Sequence, residues 1–256
     1  MVPIPGRIDR SNPTPYYFQL QEILRSWIKG RDLRPHTQIP SEAELGSRFD
    51  VSRTVVRQAL RGLERDGLIY RVKGVGSFVA RPKLRQQISE LTSFTDDVRA
   101  RGRTAGSRVL RKEMIPATDV IANRLRIAPG APVLLLERVR QADDEPLALE
   151  TAHLTFDGCE TLLEWQLDDQ SLYRVLSTEC GIRPCEAEQE LEAGVARPRE
   201  AAWLKIEVGA PVMVIERTTY DADGVPFEFA KSVYRGDKYS FVTQLCDRFS
   251  QSDDVA

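Results

Sequence analysis

From Tyr16 to Lys29 the apolar residues Tyr17, Leu20, Ile23, Leu24, Trp27 and Ile28 recur at intervals of three and four. That period predicts a helix with one buried stripe, and Gly30 stands where it would end. In "PSEAELGSRF" Ser41 and Glu44 have the spacing of a capping box, with Leu45 and Phe49 as the buried face, so a second helix starts at Ser41 or Glu42. After the short turn Asp50-Val51, Ser52 caps a third helix whose Val56, Ala59, Leu60 and Leu63 face inward and whose Gly67 supplies a left-handed stop. Two short helices on so tight a turn predict a helix-turn-helix. The polar–apolar pattern then becomes that of strands, Leu68 to Val72 and Ser77 to Ala80, around a Gly74-x-Gly76 turn with Lys73 beside it. Such a hairpin is either a plain turn or a wing whose glycines let the backbone approach a sugar-phosphate edge.

The polar, proline-containing stretch 81–90 reads as a linker. Beyond it the chain repeats itself: "GAPVLLLERVRQADDEPLALETAHL" from Gly130 is answered by "GAPVMVIERTTYDADGVPFEFAKSVY" from Gly209. Each copy reads as two strands around an acidic turn, Asp143-Asp144 or Asp223-Gly224, and two such hairpins predict one antiparallel sheet with approximate two-fold symmetry. Helical stretches precede both copies, "ATDVIANRLRI" and "RPREAAWLKIE", and "SLYRVLSTECG" makes a further helix capped by Ser171. The expected organisation is two domains: a mainly-α winged helix-turn-helix over 1–80 and, after the 81–90 linker, an α+β antiparallel-sheet domain over 91–250, with a tail at 251–256.

Charge sharpens this division. Residues 1–80 carry 13 Lys and Arg against 8 Asp and Glu, a net of +5, and the remainder is −7, although the whole chain is only −2. A basic segment joined to an acidic one fits a nucleic-acid-binding module tied to another function. No apolar run approaches the ~20 residues of a membrane helix, and the N-terminus lacks the ~7–15-residue apolar core of a secretory signal, so cytoplasmic residence is expected. Cys159, Cys180, Cys185 and Cys246 form no C-x-x-C pair and the chain has two histidines, His36 and His153. The expectation is free thiols, mostly core filler, and no metal site. With no G-x-S-x-G, P-loop or H-E-x-x-H sequence, neither a catalytic constellation nor a cofactor loop is expected.

Two arginine groups carry the candidate chemistry. On the third helix Arg53, Arg57 and Arg61, spaced by four, share the face opposite the apolar seam, and that face meets either solvent or DNA. Arg53 and Thr54 sit in the first turn, where a recognition helix meets base edges, so Arg53 is the expected base reader and Arg57 a reader or a phosphate clamp. In the second domain strand alternation puts Arg138 and Arg140 on one face, with Glu150 returning beside them. This is either an exposed salt-bridge ladder or a pocket in which guanidinium groups grip a small anion.

The string "PSEAEL…F.VSRTVVRQAL..LERDGLI.R.KGVGSFV" resembles the N-terminal winged helix-turn-helix of GntR-family bacterial transcription regulators across Tyr16 to Ala80. The resemblance implies DNA contact by Ser41, Ser52, Arg53, Thr54, Arg57 and Gly74, to which charge and turn geometry add Lys73 and Gly76. Where many members have an arginine after the "PSE" glutamate, this chain has Ala43, so that contact is absent. From Leu91 to Leu245, through "LTSFTDDVRARG", "ERVRQADDEPLALETAHL", "SLYRVL" and "VYRGDKYSF", the chain resembles the UTRA effector-binding domain, of chorismate-lyase-like fold, in the HutC subfamily. This resemblance implies ligand contact by Ser93, Thr95, Arg138, Arg140, Glu150, Ser171, Tyr173, Glu228 and Tyr234; Tyr173 and Tyr234 are alternatively core aromatics. The implied protein is a homodimeric repressor on a palindromic operator, released by a small anionic metabolite such as a phosphorylated amino sugar. The alternatives are a phosphonate, carboxylate or betaine effector, an activator, or an architectural DNA-binding protein without effector.

Overall fold

The computed structural model describes residues 4–30 and 33–245, in two units that divide between Lys83 and Leu84. The first unit holds α1 (Tyr16–Gly30), α2 (Glu42–Phe49) and α3 (Arg53–Arg65), followed by the antiparallel hairpin β1 (Ile69–Val72) and β2 (Gly76–Val79). The helix ends are set as their sequences dictate. Ser41 and Glu44 form the reciprocal capping box, the Ser52 hydroxyl accepts from the Val55 N–H, and Gly67, at φ +69°, lets Leu68 N–H return to the Leu63 carbonyl. Leu20, Leu24, Leu45, Val56, Leu60 and Leu63 close the core at 1% exposure or less, each worth ~1.5–3 kcal/mol over the exposed side chain.

Two features of this unit depart from expectation. The N-terminal arm joins the core: Ile4 is buried and its carbonyl accepts from Arg48. Gly76 opens β2 instead of belonging to the turn. Its φ of +147° is one that residues with a side chain rarely adopt, and a Cβ there would stand 2.8 Å from Gln38 Nε2. Gly74, at φ +77° with open space around it, is the exposed turn glycine.

The second unit is built on a six-stranded antiparallel sheet. Its strands are β4 (Ala105–Pro116), β5 (Pro132–Ala142), β6 (Glu145–Leu154), β7 (Glu186–Val195), β8 (Pro211–Tyr220) and β9 (Pro226–Arg235), in spatial order β4-β5-β6-β9-β8-β7. That order is the repeat made visible, because β4-β5-β6 and β7-β8-β9 mirror each other about the β6–β9 pair. α5 (Asp119–Leu125) and α7 (Pro198–Leu204) precede the two hairpins, and their exits match bond for bond. Ile127 N–H donates to Ala122 and Ile206 N–H to Ala201; Gly130 N–H donates to Ala117 and Gly209 N–H to Ala196. Each copy's helix leans on the other copy's strands, α5 against Phe229 and α7 against Val139 and Leu149.

On the opposite sheet face lie α4 (Phe94–Ala100), α6 (Leu172–Glu179) and a short 3-10 turn over Cys159–Leu163. The stretch expected as linker is only partly one: β3 (Leu84–Gln87) pairs in parallel with β10 (Tyr239–Val242). Leu84 and Gln86 are buried while Arg85 is exposed, a period-two pattern too short and too polar to stand out. Of the cysteines, Cys159 is buried in the core, Cys180 is half-buried against the same cluster and Cys185 is exposed, so core filling does not explain the last. Cys246 and the 251–256 tail lie outside the described residues. No helix among the described residues is long and apolar enough to cross a membrane.

Candidate functional site

The first site is the exposed side of α3 with the hairpin beyond it. Ser41, Ser52, Arg53, Thr54, Arg57, Lys73 and Gly74 are all exposed. Ser41 and Ser52 are also committed to their helix ends. Arg57 Nε donates to Glu42 Oε2 at 2.7 Å, a contact that ties α3 to the first turn of α2. Arg53 makes no ion pair among the described residues, which leaves its five donors available at the helix N-terminus. An exposed guanidinium stays hydrated and pays no burial penalty until a partner displaces that water.

The second site is a cavity of about 550 Å³, counting the part open to solvent, on the α4–α6 face of the sheet. Arg138, Arg140, Glu150, Glu228 and Tyr234 line it from the strands, and Ser93, Phe94 and Tyr173 from the helix starts. Arg138 and Arg140 are 2% exposed, so the ladder expected as one alternative is a buried site. Arg138 is paired: its Nε and Nη2 both reach Glu150 Oε1, the former at 3.0 Å. Among the described residues no carboxylate lies within ion-pair distance of Arg140. Its Nη2 donates to Thr95 Oγ1 at 3.0 Å, and its guanidinium stands 4.7 Å from the Phe94 ring centre, a cation–π contact worth ~2 kcal/mol when desolvated.

These surroundings leave three buried guanidinium nitrogens, Arg138 Nη1 and Arg140 Nε and Nη1, with no hydrogen-bond partner among the described residues. A buried unsatisfied donor costs ~1–3 kcal/mol, more on a charged group. Burial, and then the Arg138 charge, bring the Arg140 pKa down to about 10, so it remains a cation at neutral pH. Burial pushes the Glu150 carboxyl up, but Arg138 and Arg140 pull harder and hold it below the ordinary carboxylate range. Glu228 goes the other way, raised by burial, while its Oε2 accepts from Tyr173 Oη at 2.7 Å and Thr219 Oγ1 at 2.9 Å.

Two residues expected at the ligand stand behind the cavity wall. Thr95, 2% exposed, holds Arg140 from the rear, and Ser171 caps α6 and donates to Ser93 Oγ at 3.2 Å. Thr95 faces inward because the first turn of α4 rotates it onto the sheet. Tyr173 and Tyr234 stand both at the cavity and against the core. Each lines the cavity, and Tyr234 also packs on Tyr239 at 4.5 Å between ring centres. Burial raises the Tyr234 phenol to about 12. The cavity also contains Arg217, Gln86 and Ser232, which motif reading missed. Arg217 was within reach, because the repeat aligns it with Arg138. Gln86 carried no signal.

Residues 16–79 match the gntR family of bacterial regulatory proteins and residues 100–240 match the UTRA domain. The HTH-type transcriptional repressor NagR of Bacillus subtilis is 42% identical over 243 residues, 95% of this chain and 99% of that one. The histidine utilization repressor of Pseudomonas putida is 30% identical over 93% of this chain and 94% of its own. The crystal structure of PhnF from Mycobacterium smegmatis superposes with a TM-score of 0.64 at 33% identity, covering 90% of this chain and all of that one.

Proposed function

Because the chain belongs to the GntR family of bacterial regulatory proteins, in the HutC subfamily with a UTRA domain, we propose that it is a cytoplasmic repressor. It binds a palindromic operator as a homodimer and is released by a small anionic metabolite such as a phosphorylated sugar. The observation that carries the effector half is the set of three unpaired buried guanidinium nitrogens in a cavity edged by hydroxyls and carboxylates. A phosphate presents acceptors to such donors in bidentate geometry, while Glu150 and Glu228 accept from the hydroxyls of a sugar. The operator half rests on Arg53 at the start of α3, free to meet a guanine edge.

The route between the two functions begins at Gln86. It lines the cavity, lies in β3 three residues after the unit boundary, and its Oε1 accepts from Tyr239 Oη at 3.0 Å. A ligand that shifts Tyr234 against Tyr239 therefore bears on the strand leaving the DNA-binding unit. Linkage makes this reciprocal, so operator DNA weakens effector binding by the same factor as effector weakens operator binding, typically ~1–3 kcal/mol.

The test is fluorescence anisotropy on an operator selected from genomic fragments, titrated with sugar phosphates. Arg53→Ala is expected to erase the preference for operator over random duplex while ligand still raises the melting temperature. Arg138→Ala is expected to keep operator preference and lose release by ligand. A protein whose operator affinity no anionic metabolite changes would refute the effector reading.

A further inference from the structure

The repeat brings a third arginine to the cavity, and its surroundings differ from those of its counterpart. Arg138 lies opposite Glu150 across the β5–β6 pair, and Arg217, its repeat-mate, lies opposite Ala230 across the β8–β9 pair. Where the first copy neutralises its arginine with a carboxylate, the second has a methyl group. Arg217 Nε and Nη2 instead donate to one uncharged acceptor, Gln189 Oε1, at 2.8 and 2.6 Å. Among the described residues no carboxylate lies within ion-pair distance of Arg217. Glu228, in the same cavity, is held by Tyr173 and Thr219. The cavity thus has two half-buried or buried guanidinium groups without an ionic partner, Arg140 on β5 and Arg217 on β8. β6 and β9 stand between them.

We propose that Arg217 is a second anchoring position, and that the effector carries an oxyanion for Arg138 and Arg140 at one end and a carboxylate or carbonyl oxygen for Arg217 at the other. This rests on the anionic-effector reading above and narrows it from monofunctional phosphates to molecules with two acceptor ends. The spacing supports it. β5 and β8 are three strand separations apart, about 14 Å; both arginines line the cavity on the same sheet face, with Arg217 Nε and Nη2 turned to Gln189 on the neighbouring edge strand β7. An extended six-carbon chain, roughly 6–7 Å of bonded carbon, with an oxyanion at each end would bridge that span once Arg217 exchanges Gln189 for the ligand and both arginine side chains extend toward it. Glu150, Ser232 and Glu228 lie along its path to take hydroxyl protons.

The experiment uses two probes that differ only at the far end. 6-Phosphogluconate has a terminal carboxylate where sorbitol 6-phosphate has a hydroxyl. Calorimetric titration of the full-length protein is expected to show the carboxylate bound about tenfold or more tightly, because a charge-assisted hydrogen bond is stronger than one between neutral groups. In Arg217→Gln the ratio of the two affinities falls to near one, and Arg217→Lys restores part of it. Ala230→Glu gives Arg217 the internal partner that Arg138 has, and it too abolishes the preference without removing the arginine. Arg140→Gln weakens both probes together. If wild type binds both probes equally, or Arg217→Gln keeps the wild-type ratio, the second anchor is overturned and the phosphate site stands. If neither probe binds wild type, the anionic-effector reading itself falls and the second anchor with it.

Discussion

The two copies of the repeat share a backbone and divide the chemistry. Both run strand, helix, strand, strand; both close the helix with a non-glycine residue in the left-handed region, Arg126 at φ 54° and Lys205 at φ 54°. Their polar residues have nonetheless diverged. Arg138 faces Glu150 while Arg217 faces Ala230, and the repeat puts Thr219 in the position of Arg140 and Glu228 in that of Ala148. Backbone hydrogen bonding and apolar packing constrain the symmetric part, since either copy must satisfy the same ladder. A cavity on the two-fold axis needs no symmetry from its ligand, so the side chains around it are free to differ, and an asymmetric ligand is what two unlike halves would hold.

The comparison breaks most sharply at its ion pair. Glu150→Ala leaves Arg138 buried and unpaired, and urea unfolding is expected to register a loss of about 3–5 kcal/mol. A loss below about 1 kcal/mol would mean that water already screens that pair. The next largest contrast is apolar. Leu134 and Met213 are repeat-mates, but Leu134 is fully buried beneath α6 and the 3-10 turn whereas Met213 is only partly covered. Leu134→Ala should cost about 2–5 kcal/mol and Met213→Ala about 1. Equal losses would show that the second copy is as tightly packed as the first.

What could be read from the chain follows the range of the forces involved. Ser41, Ser52 and Ser171 act within three residues, so their helix starts were visible locally, and the repeated Gly-Ala-Pro runs announced two hairpins of one sheet. β3 was not visible, because the pattern that makes it a strand is completed by β10, more than 150 residues away. The arm that buries Ile4 was missed for the same reason. Within the cavity, strand alternation was enough to put Arg138, Arg140 and Glu150 together. It could not say that Thr95 turns inward to hold Arg140, which depends on how α4 rolls on the sheet. Arg217 lay in plain sight, since carrying the repeat alignment from backbone to side chains would have found it.

The two cavity carboxylates give opposite pH signatures, a smaller effect because no atom need be lost to see it. Glu150 has a folded-state pKa below its unfolded value, so its contribution is full above the ordinary carboxylate range and is lost as pH falls through the folded value. Glu228 is raised, chiefly by burial, so folding is favoured by its protonation below the unfolded value and is penalised as pH rises through the folded one. Glu228→Gln keeps an acceptor for Tyr173 and Thr219 and removes the charge. Its stability relative to wild type should therefore increase from pH 4 to pH 7, whereas the deficit of Glu150→Gln should deepen over the same interval. Parallel curves for the two variants would contradict the asymmetry.

The smallest contrast is at the two helix starts, where one problem has two solutions. α5 begins at Thr118, whose hydroxyl accepts from the Ile121 N–H at 3.4 Å. Its mate α7 begins at Arg197, which has no such side chain, and there the Glu200 carboxylate reaches back to the Arg197 N–H at 2.7 Å while Pro198 presets the first helical φ. Thr118→Ala removes the side-chain cap and should cost about 0.5–2 kcal/mol. Glu200→Gln retains an oxygen that can accept the same hydrogen bond and loses only the favourable charge near the helix N-terminus, about 0.3–1 kcal/mol and screened by salt. Repeating both unfolding measurements in 1 M salt separates the two solutions: the Thr118→Ala loss should persist, and the Glu200→Gln loss should shrink toward zero. If salt leaves the Glu200→Gln loss intact, the second helix start depends on hydrogen-bond geometry, as the first does, and the two copies solve the problem alike.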